Sequence, residues 1–167
     1  MNERRIEFCL MQVLLAALGI AAVGVGAMVF LTGVQFIHMT EAAFNFATGQ
    51  PIPIEPLTIS PTLDNEFRFY AIFWLSYGAL LLRVARNLLT QLRFVPMLMG
   101  IFFLGGAGRA LSNIFIGAPH PAFIMLMVVE FALPIVVAIL YARVHKLDEP
   151  DQTKIPTVES SKRILFR

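Results

Sequence analysis

The sequence predicts an all-α integral membrane protein: a four-transmembrane-helix antiparallel bundle with an extended proline-rich outer loop. Three observations predict it. Of 167 residues, 57% are hydrophobic and 14% charged, and the mean hydropathy is +0.74. A soluble domain carries about 45–50% apolar and about 25% charged residues. The apolar residues gather in four runs, each close to the roughly 20 residues that cross a bilayer. The basic residues gather beside alternate ends of those runs. These counts exclude a soluble globular domain and a disordered chain. They also argue against nucleic-acid binding: net charge is only +2, and the sequence pI near 9.0 reflects where the arginines sit.

The expected transmembrane domain covers residues 1–145, with spans over about 10–37, 67–84, 94–116 and 121–142 and an outer loop over 38–65. Residues 146–167 read as a flexible cytoplasmic tail, polar and without apolar periodicity. The first run follows Arg4 and Arg5 but is too long for the roughly 7–15-residue core of a cleaved signal peptide. The first and third runs are glycine-rich, which membrane helices tolerate. Ala22 with Gly26, and Gly106 with Ala110, are small-xxx-small pairs that let helix backbones approach. The lone Cys9 excludes an internal disulfide framework and a cysteine zinc cluster.

Basic residues set the orientation. Eleven of the 13 lie before the first run, between the second and third, or after the fourth. The opposite loops hold no lysine or arginine, so both termini are expected in the cytoplasm. The outer loop has two parts. Thr40 to Thr48 reads as a helix with Thr40 as N-cap and Gly49 as its stop. From Pro51 to Pro61, four prolines favour an extended path, read as a lid over the outer end of the bundle. The alternative is a connector at the headgroups, anchored by Phe44 and Phe46.

Charges inside a span are costly and usually face the protein interior. Span two opens with Asp64, Glu66, Arg68 and Tyr70; span three carries Arg109 with Ser112 and Asn113; span four follows His120 and carries Glu130. Arg109 lies 10 residues before Pro119 and Glu130 lies 11 after it. At about 1.5 Å per residue both reach the same depth, so they are expected to pair or share a polar network. Pro134 withholds a donor from the Glu130 carbonyl, and Arg109 has N–H groups to offer. Glu66, Tyr70, Trp74 and Tyr77 share a helix face directed at the bundle, while Arg68 points away and is placed to pair with Asp64.

No cofactor and no metal are expected. Gly105-Gly106-Ala107-Gly108 has no preceding strand and cannot be a phosphate loop. His38, His120 and His145 lack metal-ligand spacing, and there is no serine nucleophile motif.

The segments Asp64 to Ala71, Gly105 to Ser112, Gly117 to Pro121 and Glu130 together resemble one family. It is the small four-helix bacterial membrane proteins grouped as domain of unknown function 4345. The resemblance covers about Leu14 to Arg143 and implies a bacterial inner-membrane fold with no established activity. A looser likeness is to four-helix membrane folds that hold small lipids against buried carboxylates, an analogy of architecture alone.

Several functions stay open on the sequence. One is binding or handling of a membrane lipid or small hydrophobic molecule at an outer-half polar site of Glu66, Arg68, Tyr70, Arg109, Asn113, His120 and Glu130. A second is a structural or accessory subunit, partnered by its own copy or another membrane protein. A third is a membrane enzyme using Glu130 as a buried general acid or base. A small proton-coupled transporter is the fourth, and four helices are few for alternating access.

Overall fold

The computed structural model describes residues 3–54 and 56–146. Among the described residues there are helices and no strand. In chain order they are α1 (Glu3–Thr32), α2 (Gln35–Thr48), α3 (Pro61–Arg86), a short α4 (Leu88–Gln91) with a 3-10 turn (Leu92–Phe94), α5 (Val95–Phe115) and α6 (Pro121–Lys146). Four stretches are long and apolar enough to cross a membrane: Arg5–Thr32, Pro61–Arg86, Leu88–Phe115 and Pro121–Val144. At most 28% of the residues in their apolar windows are buried inside the protein. Leu31, Phe73, Leu104, Ile114 and Val128 stand exposed. Apolar surface left in water forgoes about 25 cal/mol per Å²; surrounded by lipid it forgoes nothing. The exterior is therefore dressed for hydrocarbon.

The first span ends earlier than its hydropathy implies. The apolar run continues to Ile37, but α1 stops at Thr32. Gly33 adopts φ +59°, a left-handed turn, and the Val34 N–H then donates to Asp64 Oδ1 of α3 at 3.1 Å. A side chain on Gly33 would collide with the Asp64 carboxylate. So α2 begins at Gln35, and Thr40 lies inside it, its hydroxyl donating to the Phe36 carbonyl at 2.8 Å rather than capping. Gly49 ends α2 in the left-handed conformation, φ +67°. Residues 50–54 and 56–60 have no regular secondary structure, and Asn45 Nδ2 donates to the Ile52 carbonyl at 2.8 Å.

The next helix also begins early. Ser60 Oγ accepts the Leu63 N–H at 3.1 Å and Pro61 takes the first helical position, the usual chemistry of a helix start. The connection between the first two membrane-length helices therefore covers 33–60, with α2 inside it, in place of the expected 38–65. α6 runs unbroken through Pro134 to Lys146. The rest of the expected tail, 147–167, lies outside the described residues.

α1 and α3 make the closest helix pair. A Cβ on Gly78 would lie 2.7 Å from Val23 N, and one on Gly26 would lie 2.8 Å from Leu75 N. These glycines let the backbones touch. Gly19 meets Leu82, Gly26 meets Leu75 and Gly33 meets Asp64, so the two helices run in opposite directions. α5 packs on α6, with Gly106 against Glu130 and the Phe103 ring edge-on to Phe131 at 5.0 Å. α1 also touches α6, whereas α3 and α5 meet only sparsely. The end that carries α4 is densely filled by Met11, Leu15, Leu81, Leu98, Val137 and Leu140. The end that carries α2 is not, and the polar residues gather there.

Candidate functional site

Arg109 sits on α5 and Glu130 on α6, held together because Gly106 lets the Glu130 stem lean on the α5 backbone. Arg109 Nε donates to both carboxylate oxygens, at 3.0 and 2.9 Å. The Glu130 side chain is 6% exposed and that of Arg109 is 34% exposed. The guanidinium carbon stands 5.9 Å from the Phe123 ring centroid, so an aromatic face also meets the cation. Arg109 therefore spends its Nε on the carboxylate. Among the described residues Nη1 and Nη2 have no hydrogen-bond partner.

Arg109 also lines a cavity of about 410 Å³. Its walls come from every long helix and α2: Val25 and Val29, Ile37, Tyr70 and Trp74, Ser112 and Asn113, Phe123 and Met127. Among the described residues, Arg109 is the only charged one on them. A second cavity of about 330 Å³ lies between α3 and α5, lined by Phe73, Tyr77, Phe102, Gly105 and Glu130. Tyr70 and Trp74 line both. The ion pair thus stands between the two spaces, with the cation on one and the carboxylate on the other. Toward the α4 end the α3–α5 gap is closed by Tyr77, whose hydroxyl donates to the Leu98 carbonyl at 2.9 Å and whose ring stacks on Phe102.

Of the residues singled out in the sequence, Tyr70, Arg109 and Asn113 come together on the larger cavity and Glu130 joins them from the smaller one. Three others do not. Glu66 is exposed and lines no described cavity, which corrects the expectation that it faces the bundle. The cause is the register of α3, which turns Ala71 and Gly78 onto α1 and so rotates Glu66 outward. Arg68 pairs with Asp64 at 2.8 Å, and its Nη1 donates to the Phe30 and Leu31 carbonyls at 2.7 and 3.1 Å. It closes the C-terminal end of α1, whose last carbonyls lack helical donors. His120 caps α6: its Nδ1 accepts the Ala122 N–H at 3.2 Å, and its ring meets Phe44 edge-on at 5.6 Å. Phe46, its expected companion anchor, is fully outside.

Glu41 was not singled out, yet it is only 8% exposed. Its Oε2, Asn45 Oδ1 and His120 Nε2 are buried without a hydrogen-bond partner among the described residues. The signal was available: Ile37, Glu41, Phe44 and Asn45 form one helical stripe, directed inward once α2 folds back at Gly33. Among the described residues no group of three histidine, cysteine or acidic side chains is placed to hold a metal ion.

Four membrane-length helices around a cavity with one buried ion pair define a small multi-pass membrane protein. The chain belongs to the family described as Domain of unknown function (DUF4345), whose model matches residues 10–141. No curated protein matches it. No solved structure matches it either.

Proposed function

We propose that this protein binds a lipid-like or small hydrophobic molecule in the cavity beside Arg109. In this reading it is an antiparallel four-helix bundle in a bacterial inner membrane with both termini cytoplasmic. Arg83, Arg86, Arg93 and Arg143 cluster toward the α4 end, which the positive-inside rule assigns to the cytoplasm. α2 and the proline-rich stretch after it then form a lid in the outer half.

One observation carries the proposal. A cavity of about 410 Å³ falls within the roughly 300–1,000 Å³ of ligand pockets, which are mostly apolar with a few polar groups. Here the polar groups are the spare nitrogens of Arg109 with Ser112 and Asn113. The test is lipid that co-purifies with wild type and with Ser112→Phe, compared by mass spectrometry. Ser112 is exposed on a cavity wall, so the added ring fills the space without disturbing the core. A species enriched in wild type and lost in the variant supports binding. Identical profiles, matching those of an unrelated four-helix protein, overturn it.

A second reading is favoured by the same ion pair. Both Glu130 oxygens are engaged by Nε alone, as a clamp fixing helix register in an accessory subunit would require. Exchanging the two residues separates the readings: a clamp recovers expression and stability in swapped order, whereas a binding site does not recover its lipid.

A further inference from the structure

We infer that the head group seated beside Arg109 is an uncharged hydrogen-bond acceptor, a carbonyl or ester, on a molecule supplied by the bilayer. The inference rests on the ligand-binding function proposed above and names the chemistry that site selects.

The charge count comes first. Among the described residues, Arg109 is the only charged residue on the larger cavity and Glu130 the only one on the smaller. They neutralise each other through Nε. An anion placed on Nη1 and Nη2 would share one guanidinium with a carboxylate that is 6% exposed. Two negative charges would then face a single positive one where little water screens them. A cation fails for a different reason: a guanidinium has donors and no acceptor. An uncharged acceptor meets both conditions. It satisfies the spare donors and leaves the pair neutral.

The walls fix the rest of the molecule. Val25, Val29, Phe123 and Met127 offer nothing to a polar chain and suit hydrocarbon. Ser112 and Asn113 add neutral polar groups next to the guanidinium, so a hydroxyl beside the carbonyl is also accommodated. The sparse α3–α5 seam, lined by Tyr70, Phe73 and Trp74 on one side, opens the smaller cavity toward lipid. Phe73 is 59% exposed and Tyr70 58%, so the aromatic lip itself lies on the outer surface.

Trp74 makes the inference measurable. It is the single tryptophan of the chain and lines both cavities. The protein is placed in phosphatidylcholine nanodiscs, and Trp74 fluorescence is quenched by three probes with the same brominated chain: a monoacylglycerol, an alkyl sulfate and an alkyl trimethylammonium. The monoacylglycerol is expected to quench saturably at about tenfold lower mole fraction than either ion, the discrimination one unfavourable charge contact commands. Ser112→Phe is expected to abolish the saturable part. Preference for the sulfate, with loss in Ser112→Phe, overturns the uncharged head group while leaving ligand binding intact. Equal, non-saturable quenching by all three in both proteins leaves only annular lipid and overturns the binding function with it.

Discussion

Arg109 Nε bridges both carboxylate oxygens of Glu130, at 3.0 and 2.9 Å, across the α5–α6 interface. The bridge is lopsided. The carboxylate is almost wholly enclosed, while the arginine side chain is 34% exposed and lines the cavity. Loss of the arginine is therefore the more damaging change, because it strands a buried charge. Arg109→Ala is expected to cost about 3–5 kcal/mol, the range for breaking a buried pair. Glu130→Gln, which keeps shape and leaves a half-exposed cation, is expected to cost less. Thermal unfolding in detergent checks the order, and a milder effect for Arg109→Ala would refute this account of the pair.

The Gly33 corner predicts a local lesion. Gly33→Ala meets a left-handed backbone penalty of about 1–2 kcal/mol, and its methyl would collide with the Asp64 carboxylate. Asp64 then loses its grip on the Val34 N–H. The expected outcome is faster hydrogen exchange across Gln35–Thr48 with little change in α5 and α6. Uniform loosening of all helices would show that the corner does not act locally.

Two glycines should respond differently. A methyl on Gly78 would sit 2.7 Å from Val23 N, and backbone cannot step aside, whereas a methyl on Gly24 meets nothing within 4 Å. Gly78→Ala is expected to destabilise by about 1–3 kcal/mol, the range for overpacking. Gly24→Ala is expected to be neutral or to stabilise by up to about 1 kcal/mol through helix propensity. Paired melting curves decide it.

Tyr77→Phe removes one hydrogen bond and keeps the ring. The bond joins α3 to the Leu98 carbonyl at 2.9 Å, and its loss is expected to cost about 0.5–1.5 kcal/mol. Since α3 and α5 otherwise meet sparsely, a cysteine placed at Phe102 should label faster with a water-soluble maleimide in the Tyr77→Phe background, with Cys9 replaced by serine. Unchanged labelling would mean that the Tyr77 hydroxyl does not hold the gap closed.

The four membrane-length helices were legible because hydropathy over a span is a sum and tolerates local error. The meeting of Arg109 and Glu130 was legible because a short turn and a fixed rise per residue set equal depths. Other features depended on what a linear pattern does not hold. Hydropathy runs smoothly through Gly33 into Ile37, so the corner that ends α1 left no mark until the Asp64 carboxylate was seen to receive it. The angle between Glu66 and Arg68 was readable, but not which of the two faced inward; the glycine seam between α1 and α3 decided that. Glu41 went unremarked because its helix was placed in the outer loop, away from the bundle, and its stripe acquired an inside only when the chain folded back.

Tyr77 and the packed residues beyond it give the paired cavities a floor. Space beside Arg109 is a cul-de-sac rather than a corridor. Under the binding function proposed above, a molecule lodged there has no exit through the packed α4 end. Under that proposal, a space closed at one end suits keeping hold of a molecule more than passing it across the bundle, and its natural clock is the time of stay.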